Sequence, residues 1–216
     1  MDLTQDIDFY IIFDMFILLL IGMGPKVALV PFLDMTSGMD EGTQKKVARK
    51  MVVTAVGVAL ILVLLGGFLM KLLHFTPGAL SIAGGIVFML LALHMIVGSG
   101  KSEDHQEKAS DRDAMKMALY PLAVPYLLNP AGIAVIVIAS GDANSVLMFA
   151  ILIVLVLLMG AIDMLVFGNI GKLAKHLDPS RMVVTEVVFG VLLAALAVQL
   201  VLDGLADLDI ISTIAH

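Results

Sequence analysis

The stretch "PLAVPYLLNPAG", residues 121–132, places three prolines inside a long apolar run. A proline within a helix removes one backbone N–H donor and clashes with the preceding turn, so it kinks or breaks the helix. If the run crosses a membrane, the carbonyl groups that are freed need partners in protein, water or a ligand. The stretch therefore predicts an interrupted transmembrane helix whose backbone groups are available for binding.

The rest of the chain is equally apolar. Its 216 residues are 60% hydrophobic and 15% charged, with a mean hydropathy of +1.05 and no cysteine. This composition is typical of a membrane protein, and the lack of cysteine excludes disulfides and thiol chemistry. Charge-poor runs that can cross a hydrocarbon core of about 30 Å recur along the chain. They are residues 9–33, 51–73, 77–98, 117–140, 146–171 and 183–202. We therefore predict an all-α integral membrane protein with six transmembrane helices.

The basic residues indicate the orientation of these helices. Loops after the first, third and fifth segments carry nearly all the Lys and Arg, whereas the opposite side of the membrane has Lys71 alone. Short basic loops stay in the cytoplasm. We expect a protein of the inner cell membrane with both termini outside the cytoplasm. The acidic start "MDLTQDIDFY" lacks a basic n-region, so we expect no cleaved signal peptide.

An internal repeat divides the chain near its centre. One shift of 105 residues aligns four landmarks: Pro25 with Pro130, Gly66 with Gly171, Gly85 with Gly190, and Ala92 with Ala197. Each half has three crossings, so the second half enters the membrane from the opposite side. We predict one membrane domain made of a first three-helix repeat (1–100), a cytoplasmic linker loop (101–116) and an inverted second repeat (117–216).

The segment "GMGPKVALVPF", residues 22–32, repeats the proline chemistry in the first span. We therefore predict that helices 1 and 4 are broken at Pro25 and Pro130. Half-helix amino ends offer N–H groups and a positive dipole to an anion, and the carbonyls before each break can hold an ammonium or a cation. For either proline alone, an ordinary kink packed against neighbouring helices is the alternative.

These considerations select candidate site residues around the two breaks. The predicted substrate-binding residues are Gly24, Pro25, Lys26, Asn129, Pro130 and Gly132. Asn129 has a donor and an acceptor and is also a favoured helix N-cap before Pro130. Gly132 permits close helix approach or exposes backbone to a ligand.

Lys26 is the most informative of these residues. A lysine inside a span costs about 2.5–3.5 kcal/mol on insertion scales, so it faces a cavity or an opposite charge. Asp163 lies at a similar depth from the cytoplasmic face, and Glu186 is the other acidic candidate. We predict that Lys26 pairs with Asp163 or Glu186, as a gate, a proton-sensitive latch or a static structural pair. Alternatively, Lys26 receives the substrate carboxylate directly.

Four segments resemble those of the MarC family, which includes small neutral amino acid transporters of the SnatA type. They are "GPKVALVPFLDMT" (24–36), "SIAGGIVFMLLALHMIVG" (81–98), "YPLAVPYLLNPAGIAVI" (120–136) and "FGVLLAALAVQLVLDGL" (189–205). The resemblance implies two inverted repeats with broken first and fourth helices around the substrate. This family usually has Asn or Asp before the first proline and Gly before the fourth-segment proline, whereas this chain has Gly24 and Asn129.

The function that we predict is a secondary transporter or exporter of small solutes, by resemblance small neutral amino acids, coupled to a proton or Na⁺ gradient. No nucleotide-binding or His-Glu-x-x-His zinc motif occurs, so we expect no enzyme activity, cofactor, metal or nucleic-acid partner. The expected partners are the solute, the ion and the lipid bilayer. A passive channel and a transport-inactive membrane scaffold are the alternatives.

Overall fold

The computed structural model describes residues 9–98, 111–143, 145–170 and 179–211, and the regular secondary structure in these ranges is helical throughout. The helices are α1 Phe9–Met23, α2 Pro25–Met35, α3 Glu41–Leu73, α4 Pro77–Gly98, α5 Asp111–Met117, α6 Pro130–Asp142, α7 Val146–Gly168 and α8 Pro179–Asp207. Within the described ranges, five stretches are each long and apolar enough to span a membrane, and a bent pair around Pro130 makes a sixth. The predicted all-helical membrane fold is confirmed.

The first span is interrupted at one residue. Gly24 has an extended backbone (φ −86°, ψ 166°) between the end of α1 and the start of α2 at Pro25. Proline suits the first turn of a helix because the N–H that it lacks has no partner there. The two helices still continue as one membrane span, Ile12–Met35.

The fourth span is interrupted over a longer stretch than predicted. Between α5 and α6, Tyr120 and Val124 leave the helical conformation for extended backbone, and both precede a proline in a cis peptide bond. A proline disfavours the helical conformation of the residue before it, which explains why the irregularity begins well before Pro130. The two parts of this span, Asp113–Leu127 and Pro130–Gly141, are bent by 68°.

The second span also differs from the prediction, because α3 begins at Glu41 rather than near residue 51. Asp40 caps the helix by accepting hydrogen bonds from the backbone N–H and the hydroxyl of Thr43, at 3.0 and 2.7 Å. These bonds from Thr43 hold the pKa of Asp40 below its usual value. The cap lets α3 continue through polar residues that a hydropathy pattern does not assign to a span. Of the predicted linker loop, residues 101–110 lie outside the described residues, and 111–116 belong to α5.

Helices α4 and α8 form a closely packed antiparallel pair. Small residues seven positions apart on each helix face one another: Gly78 and Gly204, Gly85 and Ala197, and Ala92 and Gly190. A methyl group at Gly78 or at Gly85 would lie 2.7 Å from a carbonyl oxygen of the other helix. Such small-residue seams let two helix backbones approach closely in lipid.

The α4–α8 pair meets the rest of the protein beside the two breaks. A small buried cluster joins Phe88, Ala92 and Leu193 of the pair to Val27 of α2 and Ala131 of α6. Val27 and Ala131 lie in the first turns of these helices, just after the two breaks. The larger core is formed where α1, α2 and α3 pack with α7 and the irregular part of the fourth span. Residues beside the breaks belong to both clusters.

Candidate functional site

The two interrupted spans cross at Gly22, in the last turn of α1, and Gly132, in the first turn of α6. A methyl group at either glycine would overlap the main chain of the other. Only glycine permits backbones to approach this closely. Both residues are buried. The structure therefore brings the breaks before Pro25 and Pro130 into direct contact inside the protein.

Asn129 supplies the hydrogen bonds that α1 loses at its break. In a continuous helix the carbonyl of Ile21 accepts from the N–H four residues later, but that residue is Pro25, which has none. Instead, Asn129 Nδ2 donates to the Ile21 carbonyl at 2.8 Å. The backbone N–H of Asn129 donates to the next carbonyl, that of Gly22, at 3.0 Å. Carbonyls that the sequence suggested for an ammonium or a cation are therefore occupied by Asn129.

The same residue caps α6. Asn129 Oδ1 accepts from the Gly132 N–H at 3.0 Å, and its carbonyl accepts from Ile133 N–H at 3.0 Å. Asn129 is fully buried. The predicted N-cap role is confirmed, and Asn129 links both broken spans by using its side chain and its backbone together.

The amino end of α2 is different because it has no side-chain cap. Its N-cap residue is Gly24, and a Cβ there would overlap the carbonyl oxygen of Leu20, so the turn has room for glycine alone. The first-turn N–H groups of Lys26 and Val27 have no partner within the helix. Lys26 is exposed and forms no ion pair within the described residues. The amino end of α2 therefore has N–H groups without partners in the helix at the positive end of its dipole, and the exposed Lys26 side chain begins in the same turn.

Asp163 lies inside the protein on α7. Its side chain has no exposed surface, and neither carboxyl oxygen has a hydrogen-bond partner. The structure therefore does not form the predicted pair between Lys26 and Asp163. That prediction used depth in the membrane, and depth does not fix which face of each helix a side chain occupies. Glu186 belongs to α8, but its side chain lies outside the described residues, so a pair with Lys26 stays a prediction.

The family follows from comparison with known proteins. A profile described as MarC family integral membrane protein matches residues 9–208. The chain belongs to the MarC family. A UPF0056 membrane protein of Methanocaldococcus jannaschii is 27% identical over 186 residues, which cover 85% of this chain and 90% of the relative. A second one, of Archaeoglobus fulgidus, is 24% identical over 208 residues, covering 96% and 97%.

A bacterial relative agrees with these archaeal ones. The UPF0056 membrane protein YvbG of Bacillus subtilis is 24% identical over 177 residues, which cover 81% of this MarC chain and 84% of the relative. No solved structure matches. The match along nearly the whole chain confirms the resemblance seen in the sequence and makes the protein a multi-pass integral membrane protein.

Sequence analysis did not select two residues of this MarC protein that matter for the site. Gly22 forms the crossing, and its signal was that "GMGPK" has a first glycine, three residues before Pro25, in addition to Gly24. Ser140, buried in α6, accepts a hydrogen bond at 2.9 Å from the backbone N–H of Gly67 in α3. This bond ties α6 to α3 at the end of α6 away from its break, and no local pattern predicts it.

Proposed function

We propose that this MarC protein is a secondary transporter of small zwitterionic solutes of the glycine and alanine class, coupled to an ion gradient. It works by alternating access around the crossing of the two interrupted spans. The observation that carries this proposal is the uncapped amino end of α2, which lies next to the crossing where the backbones of Gly22 and Gly132 are in contact. In the membrane, both termini lie outside the cytoplasm, as the basic loops indicate.

A carboxylate group suits the amino end of α2. The N–H groups of Lys26 and Val27 and the Lys26 ammonium supply positive charge, and no side chain of Gly24 obstructs them. Gly22, Gly24 and Gly132 already contact other main-chain atoms and leave no free space of their own. The restriction to small neutral amino acids therefore rests on the resemblance to the SnatA-type members of the family.

Inverted repeats provide the means of alternating access. In the α4–α8 pair, Gly85 contacts Ala197 and Gly190 contacts Ala92. Under the shift of 105 residues, each contact is the image of the other. A two-fold axis in the membrane plane produces such reciprocal contacts, and transporters with inverted repeats bind solutes near that axis. These contacts support the two-repeat architecture, with helices 1 and 4 as its broken members.

The α4–α8 pair is placed to open and close the site. It touches Val27 and Ala131, the residues that follow the two breaks. Movement of this pair would change access to the crossing from one side of the membrane at a time. The tight contact between Gly22 and Gly132 favours such a gated transporter over a permanently open channel.

We expect the purified protein in liposomes to accumulate labelled glycine or alanine against a concentration gradient when a proton or Na⁺ gradient is imposed. The measurement is solute retained by the vesicles, with protein-free liposomes and ionophore-treated vesicles as controls. Flow that only equalises the concentrations would indicate a channel. If no small neutral amino acid crossed the membrane, the transport-inactive scaffold would be the remaining alternative. Either result would overturn the proposed function.

The change Lys26→Gln should weaken binding of carboxylate solutes by about tenfold or more, because a charged hydrogen bond contributes about 1.5–3 kcal/mol. The measurement is the KM for uptake, with the amount of folded protein matched. Lys71→Gln removes the same charge from an exposed residue in the last turn of α3 and should leave KM unchanged. Equal KM values for the two variants would show that Lys26 takes no part in binding.

A further inference from the structure

Asp163 is a buried acid that takes no part in the crossing of the two interrupted spans. Its carboxyl group is fully buried, and both oxygens lack hydrogen-bond partners. An ionised carboxylate inside a membrane protein is costly unless it is paired, so unpaired acids at this depth mark proton or ion pathways in many transporters. This arrangement needs Asp163 either protonated or matched by a cation.

Packing seals this carboxyl along α7. One turn before Asp163, Gly160 lies so close to Val56 of α3 that a methyl group would overlap the valine side chain. One turn after it, Phe167 packs against Phe32 of α2, with ring centroids 5.1 Å apart. Asp163 is therefore held between two tight contacts, one to α3 and one to α2.

The charged and titratable groups on the helices around α7 lie elsewhere. On α1, α2 and α3 they are Tyr10, Asp14, Lys26, Asp34, Glu41, Lys45, Lys46, Arg49, Lys50 and Lys71. Each of these is exposed, and none is a hydrogen-bond partner of Asp163. On α6, the one such residue is Asp142, whose side chain lies outside the described part of the chain. Among the described side chains of these helices, Asp163 therefore has no charged hydrogen-bond partner that would make it a static ion pair.

Asp163 lies close in depth to the amino end of α2. The two helices belong to the first and fifth spans, so they cross the membrane in the same direction, and the contact between Phe32 and Phe167 aligns them. At 1.5 Å per residue, Pro25 lies about 10 Å before that contact and Asp163 about 6 Å before it. In depth, the acid is thus within about one helical turn of the amino end of α2.

Resting on the transport function proposed above, we propose that Asp163 is the proton-binding residue through which a proton gradient moves α2 relative to α7. In one state the carboxylate takes a proton from a hydronium ion on one side of the membrane, so that one hydronium O–H bond breaks as the carboxyl O–H bond forms. The neutral acid is then sealed among apolar side chains at low cost. After the rearrangement, the same O–H bond breaks and the proton passes to water on the other side. A proton needs only one oxygen ligand, which is what a lone carboxyl provides.

The test uses full-length Asp163→Asn in proteoliposomes. We expect uptake driven by a pH gradient, and solute-induced proton entry reported by a trapped pH-sensitive dye, to fall about tenfold or more. Exchange of labelled for unlabelled solute without a gradient should persist, because asparagine has the shape of the neutral acid. Asp34→Asn, at an exposed carboxyl on α2, is the matched control and should keep all three activities.

Three results would overturn the proposal. The first is gradient-driven uptake by Asp163→Asn equal to that of the wild type. The second is wild-type uptake that depends on Na⁺ and carries no proton. The third is loss of exchange together with coupling in folded Asp163→Asn and in a second variant, Asp163→Leu, which would assign Asp163 to solute binding or to packing.

A readout without solute separates this proposal from the transport function. Infrared difference spectra recorded from about pH 4 to about pH 9 span the range in which protein carboxyl groups titrate. We expect a protonated-carboxyl band that is present in the wild type and in Asp34→Asn and missing in Asp163→Asn. If transport fails but this band is found, Asp163 still binds a proton. If no band depends on Asp163, the proton site is refuted even where transport is observed.

Discussion

The variant Gly132→Val should fail to accumulate as a folded protein. A Cβ at this position overlaps the carbonyl carbon and oxygen of Gly22, which are main-chain atoms and cannot rotate away. The valine must therefore separate α1 from α6. Separation also breaks the bonds from Asn129 to the carbonyls of Ile21 and Gly22.

The size of this effect follows from what is lost. Overpacking a tight contact costs about 1–3 kcal/mol, and each buried carbonyl left without a partner costs about 1–3 kcal/mol more. Two carbonyls are affected, so the total is comparable to the stability of a typical domain, about 5–15 kcal/mol. Gly22→Val approaches the same contact from the other side and should have the same outcome.

The measurement is the fraction of monodisperse protein in detergent, followed by its thermal midpoint. Gly57→Val is the matched control, because Gly57 is also inside a transmembrane helix and a Cβ there meets nothing within 4 Å. It should be recovered at wild-type levels. If Gly132→Val is as stable as Gly57→Val, the two spans do not cross at these glycines.

The spans could be predicted because lipid imposes a simple rule. A helix needs about 20 apolar residues to cross hydrocarbon about 30 Å thick, and a run of this kind can be recognised in a single sequence. The start of α3 could not be predicted in this way, because the helix extends beyond the apolar run to the Asp40 cap through polar residues. Prolines located the fourth-span break but not its length, which depends on Tyr120 and Val124 becoming extended in the folded protein.

The candidate site was predictable in part for a related reason. A proline specifies which carbonyl loses its donor, so Ile21 could be identified as needing a partner from local chemistry alone. Asn129 provides this donor only because two spans that are distant in sequence cross in the fold. The separation of two residues along the chain does not predict such a crossing. The expected symmetry also failed in detail, since α6 is capped by Asn129 whereas α2 begins at an uncapped Gly24. Lys26 and Asp163 were matched by depth, but they occupy faces that do not meet.

The variant Asn129→Ala should lose roughly 2–5 kcal/mol of stability. Loss of the α6 cap costs about 0.5–2 kcal/mol, and the buried Ile21 carbonyl without a donor costs about 1–3 kcal/mol. The measurement is the thermal midpoint of the purified protein in one detergent. Asn169→Ala is the control, because Asn169 donates a similar bond, at 2.8 Å to the Leu165 carbonyl, from an exposed position. Its midpoint should change little, since water replaces an exposed bond.

Two further substitutions at position 129 separate its roles. Serine can cap α6 but cannot reach the Ile21 carbonyl, so Asn129→Ser should fall between the wild type and Asn129→Ala. Aspartate has the right shape and can cap, but an ionised carboxylate faces the Ile21 oxygen with no proton to donate. Asn129→Asp should therefore be less stable than Asn129→Ser near neutral pH and should recover as the pH falls, because the protonated acid can donate to Ile21. If all three variants were equally destabilised at every pH, Asn129 would act by its volume alone, and the crossing would not depend on its hydrogen bonds.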